Sequence, residues 1–272
     1  MKTSIDLSLI IPAAGIGSRL FPVTWAVPKE LLPINNKPAL HYVLLEALRA
    51  NINKIICITS PRKESLLGYL TYKKEQELVN LSIEEQGRLE ELNKLNLQMN
   101  YSFKIQMQPY GVGHAILLSA DSITSDFFCI AYPDDILIGE ESGFVDLVKM
   151  HIKYNSSIIL IEKVDLERIH MYGVVGYSQE IEPGVFKLTK IVEKPKKNEA
   201  PSVFAVVGRY IMHKNMFIYM KNQNTDNPCN IKAFNELIQN NYLVLGVELK
   251  GKRYDIGTLN GWLQAIKEIN NL

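Results

Sequence analysis

The stretch from residue 7 to residue 33 constrains the chain most, because it joins a short apolar run to a turn rich in small residues. The apolar run ends in a proline, and Gly15 and Gly17 follow it. Glycine lets backbone N–H groups approach an anion closely, and the side chains of Arg19 and Lys29 would neutralise that anion. The pattern predicts a strand leading into a phosphate-binding turn. An ordinary turn between a strand and a helix explains the two glycines equally well.

Two other phosphate-binding motifs fit this stretch poorly. The dinucleotide fingerprint requires a third small residue at position 20, where the chain has Leu20. The P-loop requires Gly-Lys-Ser or Gly-Lys-Thr at the end of its turn, and the stretch contains neither tripeptide. If the turn binds phosphate, it does so in a different way from both of these motifs.

The next segments predict a parallel sheet. Residues 38–50 carry apolar side chains at helical spacing and are followed by Asn51, a residue typical of helix ends. The β-branched run Lys54–Thr59 then predicts a buried strand. A strand, a helix and a second strand in this order indicate a right-handed crossover. Ligands of such sheets bind beyond the carboxyl ends of the strands, where the glycine turn would lie.

Composition limits the classes of function. The chain has 272 residues, 47% of them hydrophobic, so a large core can form, and its net charge of +1 gives no reason to expect nucleic acid or an anionic membrane as partner. No apolar run approaches the length that crosses a bilayer. The three cysteines are far apart and lack metal-ligand spacing, which suits a reducing compartment. We therefore expect a cytoplasmic protein.

The middle of the chain predicts helices and a second glycine turn. Residues 61–98 are rich in Lys, Glu, Gln and Leu, which favours helices with solvated surfaces whose charges need no functional role. An oligomer contact on these helices is the alternative interpretation. Residues 104–108 predict a strand near a sheet edge, and the glycine-rich turn at residues 111–113 opens another helix.

Two adjacent carboxylates follow the next predicted strand. Residues 127–132 form a buried apolar run, and Asp134 and Asp135 come directly after Pro133. Carboxylates at a strand end are costly to bury unless they meet a cation. A solvated turn is the alternative, because Pro-Asp is common in turns.

The last part of the chain predicts further strands added to the same sheet. Short β-rich runs separated by turn signals occupy residues 156–211, and they favour antiparallel strands at one end of the parallel sheet. Helices are predicted near residues 213–222 and 231–240, and a strand near residues 243–249. A final helix contains Trp262.

Taken in order, these motifs resemble the signature of bacterial UTP–glucose-1-phosphate uridylyltransferases, within the sugar-nucleotidyltransferase superfamily. The resemblance rests on the pattern G-x-G-S-R-x-x-P-x-T…P-K-E-L-L-P near the start and on further matches along the chain. Those matches lie at residues 106, 111–115, 133–134, 172–175, 192–195, 200–202, 207–210 and 254–257. The resemblance implies an α/β, Rossmann-like fold with a mixed, mainly parallel central sheet flanked by helices and an antiparallel sugar-side extension. It also implies one domain over residues 1–272, with a helical insertion at about 61–98, a sugar-binding portion at about 156–250, and assembly as a homodimer or homotetramer.

The resemblance also assigns roles to residues of this chain. Transfer of UMP from UTP to glucose-1-phosphate would use Arg19 and Lys29 at the triphosphate, and Lys194 at the sugar phosphate. Mg²⁺ would be the cofactor, with Asp134 and Asp255 as its ligands. The residues implied for the base and the loop around it are Ala13, Ala14, Gly15, Gly17, Gln106, Gly111, Gly113 and His114. Those implied for the sugar are Tyr172, Gly173 and Glu193.

The chain departs from the family pattern at several positions. Trp25 stands where the family usually has lysine, which predicts the loss of one cation near the phosphates. Val203 replaces an asparagine, and residues 229–235 replace Gly-Glu-Ile-Gln-Leu-Thr-Asp, so that Asn230 takes the place of a sugar-lining glutamate. The changes at Lys232 and Phe234 also alter size and polarity. Three hypotheses therefore stay open: UDP-glucose synthesis, the same reaction with another sugar-1-phosphate or nucleotide, and a non-catalytic paralogue that binds nucleotide sugars.

Overall fold

The computed structural model describes residues 6–73, 81–139, 143–226 and 228–269. The strands are β1 Ser8–Pro12, β2 Pro33–Ile34, β3 Lys37–Pro38, β4 Lys54–Thr59, β5 Asn100–Ile105, β6 Phe127–Ala131, β7 Asp135–Ile138, β8 Ser157–Lys163, β9 Gly173–Glu182, β10 Val185–Glu193, β11 Phe204–His213, β12 Val244–Glu248 and β13 Lys252–Asp255. The α-helices are α1 Val23–Ala26, α2 Ala39–Arg49, α3 Glu64–Leu70, α4 Ile83–Leu97, α5 Gly111–Leu117, α6 Phe144–Tyr154, α7 Met216–Asn222, α8 Asn230–Gln239 and α9 Leu259–Ile269. Short 3₁₀ turns occupy Ser18–Leu20, Lys29–Leu31, Ala120–Ser122 and Leu166–Met171.

One large mixed sheet organises the described residues. Its nine strands follow the order β5-β4-β1-β6-β11-β8-β12-β10-β9. The neighbours from β5 to β6 are parallel, as are β8 and β12, whereas β11 and β10 run antiparallel to their neighbours. Seven of the nine strands therefore run in the same direction. The predicted fold class, a mainly parallel sheet with an antiparallel addition, is confirmed.

The sheet is covered on both faces because its central strands are apolar on both faces. In β1, Leu9 and Ile11 pack into one core with residues of α2 and α6, such as Leu44. Ile10 points to the other face, where it packs with residues of α5 and α7, such as Ile116. A strand buried on both faces needs this continuous apolar run. The run before the glycine turn therefore fixes β1 at the centre of the sheet.

The start of β5 differs from the prediction, and the helical region 61–98 agrees with it where the structure describes it. The edge strand β5 begins at Asn100, four residues before the predicted start, and pairs with β4 from Lys54 onward. The polar residues Asn100 and Ser102 at its start gave a weaker signal than a continuous apolar run, as an edge strand allows. In the region 61–98, α3 and α4 are helical as predicted, and residues 74–80 lie outside the described residues.

The strands predicted in residues 156–211 join the central sheet. Strand β11 lies between β6 and β8, so it connects the two groups of parallel strands. Strand β9 pairs with β10 along most of its length and touches β11 where Val174 faces Ala205. This arrangement carries the segment around residues 172–173 back toward the carboxyl end of β6. Among the described residues, no helix is long and apolar enough to cross a membrane.

Candidate active site

A cleft of about 550 Å³ opens at the carboxyl ends of β1, β5 and β6. Parallel strands bring the loops that follow them to the same edge of the sheet. The sequence-predicted site residues that line the cleft are Ala14, Gly15, Gly17, Arg19, Lys29, Gln106, Gly111 and Asp134. The predicted residues outside its lining are Ala13, Gly113, His114, Tyr172, Gly173, Glu193, Lys194 and Asp255. The structure therefore brings together predicted residues from three separate segments of the chain.

The loop after β1 is held in an unusual conformation. Gly17 has a φ of +69°, in the left-handed region that favours glycine. Its carbonyl accepts a hydrogen bond from the Thr24 hydroxyl at 2.7 Å. A Cβ placed on Gly17 would lie 3.1 Å from Cβ of Thr24, whereas the space around Gly15 is open. Both the backbone angle and the close neighbour therefore require glycine at position 17.

An ion pair joins the loop side of the cleft to the β6 side. The Lys29 ammonium donates a hydrogen bond to Oδ2 of Asp134. Burial works to lower the pKa of Lys29, but the charges of Asp134, Glu30 and Asp255 outweigh burial and raise the pKa. Burial works to raise the pKa of Asp134, and Lys29 outweighs it and lowers that pKa. Both groups are therefore charged at neutral pH.

Asp134 and Asp255 approach each other beside Gly257. A Cβ placed on Gly257 would lie 2.9 Å from Oδ2 of Asp134 and 3.1 Å from Oδ1 of Asp255. Burial raises the pKa of Asp255, and so do the negative charges of Asp135 and Asp134. Two carboxylates that repel each other at one end of a cleft form an oxygen donor set that suits a hard divalent cation.

The two carboxylates alone do not complete the coordination of a divalent cation. Within the described part of the chain, no three His, Cys, Asp or Glu side chains gather into a metal-binding group. Mg²⁺ characteristically takes one or two carboxylates from the protein and further oxygens from water and substrate phosphates. The pair at Gly257 fits that pattern.

The two adjacent aspartates after β6 have different environments. Asp134 faces the cleft, whereas Asp135 is only 5% exposed. Asp135 accepts hydrogen bonds from Nε of Arg253 at 2.7 Å and from the Gly208 amide at 2.9 Å. Arg253 also donates to Oε1 of Glu162 at 2.6 Å. Each aspartate therefore meets a cation, as the cost of burial required, and the alternative of a solvated turn is wrong.

A buried arginine, which the sequence analysis assigned no role, fixes the turn after β6. Arg209 is fully buried and pairs with Glu46 of α2 at 2.9 Å. Its guanidinium also donates to the carbonyl oxygens of Tyr132 at 3.0 Å and Asp135 at 2.7 Å. The turn that presents Asp134 is therefore held at both ends by one side chain.

A second buried ion pair holds the loop after β1. The Lys63 ammonium donates to Glu30 at 2.8 Å and to the carbonyl of Ala13 at 2.5 Å. Glu30 follows Lys29 in the chain, so this pair connects the segment that carries Lys29 with the backbone at Ala13. The prediction of solvated charges in residues 61–98 is wrong for Lys63, which is buried. A lysine at the start of a charged segment carried no signal that set it apart.

The Gln106 side chain lines the cleft, and hydrogen bonds within the protein orient its amide. Its Nε2 donates to the carbonyl of Gly111 at 3.0 Å and to Nδ1 of His114 at 2.9 Å. These two bonds fix the orientation of the amide and leave its oxygen as an acceptor. His114 is outside the lining of the cleft but contacts Gln106, which lines it. A Cβ on Gly113 would lie 1.8 Å from the carbonyl oxygen of Pro228, so Gly113 is required for packing.

The predicted sugar residues cluster separately, where β9 begins and β10 ends. Gly173 pairs with Glu193 across the two strands, and the Lys194 amide donates to the carbonyl of Tyr172 at 2.9 Å. Nζ of Lys194 lies 3.9 Å from Oε1 of Glu193, and both side chains are about half exposed. Lys194 has a φ of +46°, a strained conformation for a residue with a side chain.

Contacts of Asn230 and Ile231 link this cluster to the cleft. Asn230 donates to the hydroxyl of Tyr132 at 2.7 Å, and Tyr132 lines the cleft. The side chain of Ile231 would lie 3.1 Å from a Cβ on Gly173. Phe234 is fully buried in the core, and Lys232 is exposed. Of the three departures considered in α8, Asn230 is the one that forms a hydrogen bond with a residue lining the cleft.

Comparison with known proteins agrees with this arrangement. The nucleotidyl transferase family model matches residues 8–271. The chain belongs to the nucleotidyl transferase family. Its family relative, the UTP–glucose-1-phosphate uridylyltransferase of Bacillus subtilis (strain 168), is 34% identical over 264 residues, which cover 95% of this chain and 89% of the relative. The resemblance predicted from the sequence is confirmed over nearly the whole length.

Solved structures of the family share the fold. A UDP-glucose pyrophosphorylase complexed with UDP-glucose has a TM-score of 0.88 at 29% identity and covers 98% of this chain and 99% of its own. A UTP-bound UGPase from Acinetobacter baumannii has a TM-score of 0.86 at 26% identity and covers 97% of this chain and 93% of its own.

Proposed function

We propose that this chain transfers UMP from UTP to glucose-1-phosphate, giving UDP-glucose and pyrophosphate. The observation that carries the proposal is the Lys29–Asp134 ion pair, which faces the glycine loop at the carboxyl ends of β1 and β6. The full-length similarity to UTP–glucose-1-phosphate uridylyltransferases supports the choice of substrates.

The proposed reaction is an in-line displacement at the α-phosphorus of UTP. An ionised phosphate oxygen of the sugar phosphate attacks, and its bond to the α-phosphorus forms. The bond between the α-phosphorus and the bridging oxygen of the β-phosphate breaks, and pyrophosphate leaves with that electron pair. The attacking phosphate is already ionised near neutral pH, so no strong general base is needed. Positioning and charge balance then provide the catalysis.

The cationic side chains divide between the two substrates. Arg19 is exposed beside the glycine loop and balances charge on the triphosphate, together with Lys29. The raised pKa of Lys29, which the charge of Asp134 supports against burial, favours the charged ammonium. Lys194, which directly follows β10, binds the phosphate of the sugar.

Asp134 and Asp255 would hold the divalent cation, Mg²⁺ in this proposal. When bound, the ion neutralises phosphate oxygens and aligns them for displacement. Asp134 has a second task, since it also orients the Lys29 ammonium. Asp255 accepts a hydrogen bond from the Gly257 amide at 3.0 Å, which fixes one of its oxygens.

The base is read by Gln106 together with the backbone at Ala13 and Ala14. Because both donors of the Gln106 amide are bonded within the protein, its oxygen is the group offered to the cleft. An acceptor at this position favours uracil, whose ring nitrogen N3 carries a hydrogen, over cytosine, whose N3 does not. The sugar is bound by Tyr172, Gly173, Glu193 and Asn230.

The deciding experiment measures pyrophosphate release across a panel of nucleoside triphosphates and sugar-1-phosphates, with Mg²⁺ and with EDTA. We expect the highest kcat/KM with UTP and glucose-1-phosphate, and no release in EDTA. Activity with a different sugar only would show that Asn230 has changed the substrate. Nucleotide binding without release for any pair would support the non-catalytic paralogue.

Two further properties belong to the same proposal. We expect an assembly of two or four copies, which light scattering coupled to size exclusion measures directly. We also expect the protein to act in the cytoplasm, where UTP and sugar phosphates are available.

A further inference from the structure

Trp25 is unusually exposed for a tryptophan beside a binding cleft. It lies in α1, and 64% of its surface is accessible. Its ring meets the edge of Phe21 at a centroid distance of 5.9 Å. On the ring face, Cζ of Arg62 lies 3.9 Å from the centroid. A guanidinium at this distance over an indole face forms a cation–π contact. The indole therefore holds a positive charge that comes from another part of the chain.

The backbone of Arg62 is anchored next to the loop after β1. Arg62 lies between β4 and α3, and its neighbour Lys63 reaches inward to Glu30 and to the carbonyl of Ala13. The Lys63 amide also donates to the carbonyl of Ser60 at 3.0 Å. These contacts fix the position of Arg62 relative to the glycine loop before any ligand arrives.

The guanidinium of Arg62 has no carboxylate partner in the part of the chain that the structure describes. Lys29 and Lys63, in contrast, are each paired with a carboxylate. Arg19 is exposed like Arg62 and is likewise without an ion pair among the described residues. The two arginines therefore carry the uncommitted positive charge beside the glycine loop, and a triphosphate brings several negative charges to balance.

The Trp25–Arg62 pair borders a shallow depression next to the main cleft. The depression, about 30 Å³, is bounded by Ile16, Thr24 and Pro28 as well as by the pair itself. Ile16 also lines the main cleft, so the two spaces adjoin at this residue. Thr24 bonds to Gly17, and Pro28 precedes Lys29 in the chain. A phosphate chain that passes the glycine loop toward Pro28 would approach Arg62.

Resting on the function proposed above, we propose that Arg62, positioned by Trp25, binds the terminal phosphates of the nucleoside triphosphate and the pyrophosphate that leaves. The sequence predicted the loss of a cation at position 25. The structure places the guanidinium of Arg62, from the loop after β4, over the Trp25 ring. This arginine therefore supplies the positive charge that position 25 lacks. An arginine suits this role because its planar fork can stack on the indole and still donate to phosphate oxygens.

The test measures binding by calorimetry with UTP, UMP and inorganic pyrophosphate as probes. Arg62→Ala should weaken UTP and pyrophosphate binding about tenfold, the size expected for a charge-assisted contact to phosphate. The affinity for UMP should stay within about twofold of its value in the parent, because UMP lacks the terminal phosphates that Arg62 would contact. Trp25→Ala should give a smaller loss of roughly two- to fivefold for UTP, since the guanidinium remains but is no longer held. The matched control is Arg49→Ala, an exposed arginine outside the lining of the cleft.

A rescue variant separates charge placement from general damage. Trp25→Lys combined with Arg62→Ala should return UTP affinity to within about threefold of the parent, because it restores one cation to the same place. The proposal is overturned if Arg62→Ala binds UTP as Arg49→Ala does, if UMP binding falls as much as UTP binding, or if the double variant shows no recovery. Turnover is measured separately on the parent, so failure of the proposed reaction is distinct from failure of this assignment.

Discussion

The proposed nucleotide side and the proposed sugar side of the site are built in opposite ways. On the nucleotide side, three ion pairs are buried beneath the cleft: Glu30–Lys63, Glu46–Arg209 and Asp135–Arg253. They fix the loop after β1 and the turn after β6, the two segments that carry Lys29 and Asp134. These three ion pairs, called the framework below, do not line the cleft themselves. They position the charged groups that do.

On the sugar side, the charged groups themselves are about half exposed. Glu193 and Lys194 lie at a strand end with 3.9 Å between their nearest charged atoms, and the backbone at Lys194 is strained. Exposed pairs of this kind contribute little to stability. If the proposed roles hold, the difference predicts that the triphosphate site is preorganised, whereas the sugar-phosphate site is completed by its ligand.

The largest effect is expected from Asp134→Asn on the nucleotide side. The substitution removes the charge partner of Lys29 and one of the two carboxylates beside Gly257. We expect kcat/KM for UTP to fall roughly a thousandfold, as for removal of a main electrostatic group from an active site. Steady-state pyrophosphate release measures it, with Asp126→Asn as control, because Asp126 is an exposed carboxylate paired with Lys214. Retention of more than about a tenth of the activity would contradict the role of Asp134.

The framework itself is tested by Arg209→Met. Removing one partner leaves Glu46 buried without its countercharge, which costs about 3–5 kcal/mol of unfolding free energy. Urea unfolding measures the change. The control is Arg88→Ala, which breaks an exposed pair with Glu84 and should change stability by less than about 0.5 kcal/mol. Equal effects of the two substitutions would show that the buried Glu46–Arg209 pair contributes no more to stability than an exposed pair.

The sugar side is tested by Lys194→Ala. We expect KM for glucose-1-phosphate to rise about thirtyfold, while KM for UTP changes by less than about threefold, because only the sugar phosphate loses a cation. The control is Lys187→Ala, an exposed lysine in β10, the strand that ends just before Lys194. A matched rise in both KM values would show that the two substrates share this lysine.

A smaller effect concerns pH and helix α2, which carries both Glu46 and His41. His41 is buried, with Nδ1 at 2.6 Å from the hydroxyl of Tyr69, and its Nε2 has no hydrogen-bond partner among the described residues. Burial, assisted by the charge of Lys37, lowers its pKa from 6.5 to about 4. The unfolded chain therefore takes up a proton between pH 6.5 and 4 that the folded chain does not, and stability falls as the pH drops through this range.

Substitution of this histidine should flatten the pH profile. Between pH 7 and pH 4.5, we expect the free energy of unfolding of His41→Gln to fall by about 1–2 kcal/mol less than that of the parent. This figure follows from the size of the His41 pKa shift and from partial relaxation of the site. Urea unfolding at the two pH values measures it, and His170→Gln at an exposed position is the control. A parent and variant with parallel profiles would place the acid sensitivity elsewhere.

The sequence predicted the parts of the site that lie near one another in a motif or follow parallel strands. Gly15, Gly17, Arg19 and Lys29 belong to one stretch, and Asp134 follows a strand whose carboxyl end must lie beside that of β1. Topology alone then places these groups together. The family resemblance selected Asp134, whereas the internal arginine partner of Asp135 could not be predicted, because neighbouring carboxylates in a sequence do not reveal which one is buried against a cation.

The framework could not be predicted, because its members are distant in sequence and look like surface charges. Glu46 and Arg209 lie 163 positions apart, and no local pattern connects them. Lys63 resembles every other lysine in a charged segment, and the stacking of Arg62 on Trp25 depends on the relative placement of two loops. Phe234 was expected to affect the sugar site, but its position on α8 turns it into the core. Such contacts follow from packing in three dimensions.

The contrast between the two sides is tested most directly by titrating glucose-1-phosphate into the protein in a calorimeter, with and without a UTP analogue whose α,β-bridging oxygen is replaced by a methylene group. The account predicts that the analogue binds alone, and that the sugar phosphate binds at least about tenfold more tightly once the analogue is present. Equal affinity of the sugar phosphate in both titrations would show that its site is already formed and would contradict the account.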